Sequence, residues 1–133
     1  MSSALPHEGV YVRLGLSPIN GIGVFAIREI AKGTNIFAND TVELVWVPRE
    51  KLEKLELSDA QRALYQDFGV WREDKVGCPV NFQNLTPGWY LNEPREGDKP
   101  NVEVDGELNF RAARDIKEGE ELTVRYRTFS PEP

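Results

Sequence analysis

Three short stretches of this sequence have the residue types and spacing to do chemistry. At Gly21-Ile22-Gly23 two glycines flank an aliphatic residue, which leaves backbone N–H and C=O groups unscreened and able to carry a ligand directly on the main chain, or else marks a hairpin bulge with no ligand. At Trp89-Tyr90-Leu91-Asn92 an amide follows three large side chains, and capping a turn is the ordinary use of such an asparagine. Near the C-terminus Leu122, Val124 and Tyr126 alternate with Glu121, Thr123 and Arg125, a period of two that predicts a strand whose buried face ends on a phenol. A phenol aimed inward can orient a reacting group without adding a charge that needs solvating.

Other chemistries are closed off by counting. Cys78 is the single cysteine, so no intrachain disulfide forms, and with His7 as the only histidine neither a Cys/His zinc site nor a Ser-His-Asp or Cys-His mechanism is expected. No metal is expected on these grounds. Gly21-Ile22-Gly23-Val24-Phe25-Ala26 also satisfies the G-x-G-x-x-G/A pattern of dinucleotide-binding folds, with acids following at Asp40 and Glu43. That pattern requires a helix opening at the glycines, and β-branched or aromatic residues running up to Gly33 leave no room for one.

The elements that must position these groups are short and turn-rich. Val10, Val12, Leu14 and Leu16 predict a half-buried strand, followed by a turn at Ser17-Pro18-Ile19-Asn20-Gly21 in which Asn-Gly favours the primed hairpin types. Residues 35–38 and 42–47 read as strands, and Pro48 opens a helical stretch carrying Leu52 and Leu55. Ser58-Asp59-Ala60-Gln61 has the form of a capping box, for a helix expected to turn Ala60, Ala63, Leu64 and Phe68 inward and to stop at Gly69. Residues 70–82 read as irregular, with Cys78 as a small buried hydrophobe. Residues 101–104 predict a strand, Asp105-Gly106 a hairpin turn, and Lys117-Glu118-Gly119 a turn between two further strands. The phrase Ala-x-Arg-acid-Ile-x-x-Gly occurs twice, from Ala26 and from Ala112, so two related strand-turn-strand units bracket a different middle.

At 133 residues, 40% hydrophobic and 29% charged, the chain is long enough to bury one core and is expected to be a single domain of residues 1–133, with a loose leader at 1–8, a helical insert at 48–69 and a tail at 127–133. There is no apolar run of about 18 residues and no basic start followed by an apolar core, so neither a membrane span nor a signal peptide is expected, and the expected location is cytoplasmic. A net charge of −6 argues against direct nucleic-acid binding and suits a basic protein partner. The fold class that results is mostly β, with a minor α+β character.

Taken together, Gly-x-Gly-Val-Phe-Ala, the later Tyr-Leu-Asn, Pro100-Asn101 and Ala112-Ala-Arg-Asp-Ile-Lys-Glu-Gly-Glu-Glu-Leu-Thr-Val-Arg-Tyr126 resemble the SET-domain protein-lysine methyltransferases over residues 10–126. The resemblance implies a SET-type fold of small curved antiparallel sheets with a helical insert and a C-terminal pseudoknot, and S-adenosylmethionine as cofactor. It implies that Gly21, Ile22 and Gly23 contact that cofactor through their main chain, that Asn92 binds it near its amino-acid end, and that Tyr126 stands beside the transferred methyl. Val124 is the implied substrate-channel residue, and Phe129, three residues beyond Tyr126, is taken as an adenine or channel contact. Methyl transfer to a protein lysine follows as the implied activity, with a homodimer as a way to extend the substrate surface. This chain departs from the family in reading Asn92-Glu93-Pro94 where Asn-His-Ser is usual, and Arg125 where an acid commonly precedes the tyrosine. The two charge reversals lead to the expectation of a Glu93–Arg125 ion pair. They also keep a second class open: a catalytically weak or inactive SET-like binding module.

Overall fold

The computed structural model describes residues 5–40 and 43–131, so the first half of the expected leader and the last two residues of the expected tail lie outside the described residues. Strands β1 (Val12–Leu16) and β2 (Ile22–Ala26) form an antiparallel hairpin in register from Val12↔Ala26 to Leu16↔Ile22. The expected alternation holds only at its centre: Val12 is buried, whereas Val10 lies before the strand and Leu16, at 88% exposure, lies beyond the core. The connection is a five-residue loop rather than a two-residue primed turn, closed by Ser17 N–H donating to Gly21 C=O at 2.8 Å. Gly21 has φ +48°, the left-handed region that the chain reverses through here.

Strand β8 (Glu121–Leu122) pairs with the other side of β2, Val24 opposite Leu122 and Phe25 opposite Glu121. Past β8 the chain is enclosed on its other flank. Val124 N–H donates to Asn92 C=O and Val102 N–H to Thr123 C=O, both at 3.0 Å. The Asn101 side chain accepts from Thr123 N–H at 2.8 Å and donates to Glu121 C=O at 2.9 Å. A segment held on both flanks has no solvent face, so Leu122, Thr123 and Val124 are all buried and the period of two ends. Tyr126 opens a 3₁₀ turn (Tyr126–Thr128) instead of finishing the strand.

The two copies of the repeated phrase pair with each other. Ile30 and Ile116 exchange N–H···O=C bonds, both 2.8 Å; Gly33 N–H donates to Ala112 C=O, and the equivalent Gly119 N–H donates to Ala26 C=O. The bridges Asn35↔Arg111 and Phe25↔Glu121 are likewise related by exchange of the copies. This local pseudo-two-fold brings Ile30, Ile36, Ala112, Ile116 and Leu122 into the main core with Val12, Val24, Val102 and Val124. Full burial of a Val, Leu or Ile side chain of this kind contributes about 1.5–3 kcal/mol. Strands β6 (Val102–Val104) and β7 (Phe110–Ala112) form the hairpin expected around Asp105-Gly106. The Asp105 carboxylate accepts from Glu107 N–H and Asn109 N–H at 2.8 and 3.0 Å, which organises that loop.

The middle of the chain departs most from expectation. Residues 70–82 are not irregular: β4 (Val70–Trp71) and β5 (Lys75–Pro79) form a hairpin, and β5 also pairs with β3 (Leu44–Pro48) to give the order β3-β5-β4. The glycine that interrupts the strand pattern here has a packing reason, since a Cβ at Gly77 would come within 2.8 Å of the Trp46 ring. Residues 35–38 form one bridge at Asn35 and then a turn, and Val42 lies outside the described residues. Helices α1 (Arg49–Glu53) and α2 (Asp59–Asp67) cover this sheet. The capping box forms: Ser58 Oγ accepts from Gln61 N–H at 3.1 Å, and Gln61 Oε1 accepts from Ser58 N–H at 2.9 Å. Helix α2 nevertheless buries no residue completely, and Ala60 and Leu64 face solvent. The cluster beneath has only Leu52, Val76 and Cys78 fully buried, so contact narrows to Tyr65, edge-on to Phe82 at 5.0 Å, and Phe68, edge-on to Tyr90 at 5.7 Å.

Candidate active site

A cleft of about 880 Å³ opens where the two halves of the chain meet. Asn20, Gly21 and Ile22 line its floor with Leu91 and Asn92; the 3₁₀ turn Pro87–Tyr90 forms one wall, and the end of α2 with Trp71 forms another. Tyr126, Phe129 and Ser130 close the remaining side. The segment after Tyr126 is fastened there: Trp71 N–H donates to Ser130 Oγ at 2.8 Å, and the Arg72 guanidinium donates to Phe129 C=O. Phe129 stacks edge-on to Phe110 at 5.2 Å and to Tyr126 at 6.3 Å, so it is a wall of the cleft and not a loose aromatic on a tail.

Gly21, Ile22, Asn92, Tyr126 and Phe129 therefore line one cavity, although they come from three distant parts of the sequence. Gly23 and Val124 do not. Gly23 is buried behind the floor, and Val124 has no exposed surface and packs within the main core, which removes it from the channel wall. The two glycines differ in what demands them. A Cβ at Gly21 would meet nothing within 4 Å, so its requirement is conformational; a Cβ at Gly23 would collide with the Glu121 carboxylate.

Asn92 is 6% exposed, and its Nδ2 donates to Asn20 C=O and Glu121 Oε2 at 3.0 Å and to Ile22 C=O at 3.3 Å. With three acceptors around the nitrogen, the amide has one sensible orientation, which leaves Oδ1 as its acceptor at the cleft. The Tyr126 hydroxyl donates to Leu91 C=O at 2.7 Å, next to Asn92. Tyr126 is 43% exposed and so is not the fully inward phenol expected, but its partial burial, and then the negative charge of Glu93, push its pKa above the ordinary tyrosine value, so it remains a neutral hydroxyl with lone pairs available to a donor.

The expected Glu93–Arg125 ion pair is absent. Among the described residues the ion pairs are Lys54–Glu50, Arg111–Asp105 and Arg114–Glu120. Glu93 Oε1 instead accepts from Tyr126 N–H at 2.9 Å, and the Arg125 guanidinium donates to Asp98 C=O at 3.1 Å. Backbone acceptors and donors closer at hand satisfy both charges. Glu93 thus anchors the backbone of Tyr126 from outside the cleft and leaves the cavity open. His7 sits in an exposed turn and does not reach the cleft. Sequence reasoning missed Ser17 and Glu121, which hold Asn92 and the floor loop from behind. The alternating pattern puts Glu121 on the solvent face. The one signal that could have found it is Gly23, a strand residue without a side chain directly beside the space that the carboxylate fills.

Sequence comparison bears on what such a cleft belongs to: the model of the SET domain matches residues 21–127. The chain belongs to the SET-domain family. No curated protein sequence matches it. Among solved structures, a Plasmodium falciparum protein described as a candidate histone methyltransferase is similar at 19% identity and TM-score 0.52, covering 86% of this chain and 90% of that one. The methyltransferase domain of human PR domain-containing protein 2 is similar at 19% identity and TM-score 0.56, covering 91% of this chain and 78% of that one. At this identity the likeness concerns the fold: the small antiparallel sheets and few helices of this SET domain are those of its structural neighbours.

Proposed function

We propose that this SET domain binds S-adenosylmethionine in the cleft and catalyses methyl transfer to a lysine side chain of a protein. The observation that carries the reading is the convergence of Gly21, Ile22, Asn92 and Tyr126 on one cavity. The cleft fits the cofactor by its chemistry: its volume is within the roughly 300–1,000 Å³ of small-molecule sites, aromatic rings at Trp89, Tyr90 and Phe68 can flank a base, and Asn92 Oδ1 can accept from an ammonium group.

S-adenosylmethionine, when bound, supplies an electrophilic methyl on a sulfonium sulfur. The chain's part is alignment, because in-line displacement depends above all on holding nucleophile, methyl and leaving group in a row. Tyr126 keeps its proton on Leu91 C=O and offers oxygen lone pairs to an amine N–H, which fixes the direction of the nucleophile. Asn92 and the floor loop would hold the donor from the other end. Lysine attacks only as the neutral amine, and its reference pKa of about 10.4 falls in a desolvated, aromatic-walled site beside a cation. The net charge of −6 suits a basic protein substrate.

Incubation with labelled S-adenosylmethionine and a panel of basic proteins, beside a Tyr126→Phe variant, tests the reading. Label on protein lysines with the wild type and a large loss in the variant is expected. No label on any protein, or equal label with both enzymes, refutes it, and cofactor binding without transfer would identify a binding module.

A further inference from the structure

We propose that Glu121 is the positioning residue of the donor site: its carboxylate fixes the orientation of Asn92 and ties that amide to the loop forming the cleft floor. The inference rests on the cofactor reading above, and it concerns a residue that does not itself line the cleft.

Glu121 stands at the meeting point of three segments remote in sequence. Ser17 Oγ lies 2.8 Å from both of its carboxylate oxygens, and Asn92 Nδ2 donates to Oε2 at 3.0 Å. Ser17 Oγ in turn accepts from Ile19 N–H and Asn20 N–H at 3.0 and 3.2 Å, so the carboxylate also holds the loop that runs into Gly21. Asn20 and Ile22 carbonyls complete the ring by accepting from Asn92 Nδ2. A buried amide facing neutral carbonyls alone would be held by weak bonds. An ionised acceptor roughly doubles the strength of such a bond, polarises the amide, and makes the opposite Oδ1 a better acceptor for a cationic ligand group.

The same arrangement gives Gly23 a purpose other than contact with a ligand. Its missing side chain is the space that the Glu121 carboxylate occupies, with Ser17 Cβ only 3.0 Å from where a Cβ would stand. Of the two glycines in the motif, the first shapes the floor and the second admits the residue behind it.

The test compares two ligands that differ only at the end Asn92 would hold. S-adenosylhomocysteine carries the amino-acid group and methylthioadenosine lacks it. Calorimetric titration of wild type and Glu121→Gln, which keeps shape and removes charge, is expected to show S-adenosylhomocysteine affinity falling about tenfold while methylthioadenosine affinity is unchanged. Ser17→Ala should weaken S-adenosylhomocysteine in the same selective manner by roughly threefold. The Asn92 side-chain amide resonances, recorded without ligand, should move upfield in Glu121→Gln as the charge-assisted bond is lost. Equal weakening of both ligands, unchanged affinity for both, or unmoved Asn92 resonances overturns the positioning role. Failure of the wild type to bind S-adenosylhomocysteine at all overturns the cofactor reading itself, and the positioning role with it.

Discussion

Replacing Gly23 with alanine adds one methyl group where the structure has no room for it. The new Cβ would stand 2.9 Å from Glu121 Cδ and 3.0 Å from Ser17 Cβ, and closer still to Glu121 Oε2, so the carboxylate must leave its place. Overpacking of this kind costs about 1–3 kcal/mol, and displacing the carboxylate from Ser17 and Asn92 sacrifices at least one further hydrogen bond at about 1 kcal/mol. The expected loss is therefore about 2–4 kcal/mol, or roughly 8–15 °C in Tm for a domain of this size. Gly33→Ala is the matched control. There φ is +87° but no atom lies within 4 Å of the added Cβ, so only the left-handed backbone strain of about 1–2 kcal/mol applies. Urea denaturation of both variants measures the difference directly, with unchanged m-values showing that the transition is the same one. A Gly23→Ala protein within about 0.5 kcal/mol of wild type, or more stable than Gly33→Ala, refutes the reasoning.

Tyr126→Phe should cost no more than about 1.5 kcal/mol in stability, the worth of its bond to Leu91 C=O, yet lower methyl transfer by about a hundredfold through lost alignment; a transfer loss no larger than the stability loss contradicts this. In Glu93→Gln the negative charge beside the phenol is gone, so one tyrosine should ionise at lower pH in an absorbance titration, and an unmoved curve contradicts the assignment. Because burial pushes the Cys78 thiol up to about 11, native protein at pH 8 should resist thiol reagents that label the unfolded chain at once. The sign of the linkage follows: the unfolded thiol ionises first, so this contribution to stability is intact below its ordinary pKa of about 8.5 and declines as pH rises toward 11.

Local signals carry the parts of the fold that local chemistry decides. The Ser58 capping box, the turn at Asp105-Gly106 and the pairing-competent repeats from Ala26 and Ala112 all form where their residues call for them. Gly21 and Tyr126 are legible as candidates because backbone exposure and an inward phenol stand out in a strand pattern, Asn92 and Phe129 become candidates through the family resemblance, and the fold brings all four to one cleft. What escapes the sequence depends on contacts across long separations. Residues 70–82 read as irregular because nothing local shows that the Trp46 ring lies on Gly77, and Val124, a channel residue only by the resemblance, is buried because the second flank of its segment comes from residues far away in the chain. Periodicity places Glu121 and Arg125 together on an outer face, but only Arg125 has its guanidinium at the surface; Glu121 turns into the space left by Gly23.

The proposed donor site is one cleft, lined by the early glycine loop, Asn92 and Tyr126. Heteronuclear NMR of the labelled protein during titration with S-adenosylmethionine tests it residue by residue. Shifts are expected at Gly21, Ile22, Asn92 and Tyr126, with Lys51 and Glu53 of helix α1, which do not line the cleft, unmoved. Spectra that do not change on saturation with the cofactor, or that change only outside the cleft, would contradict it.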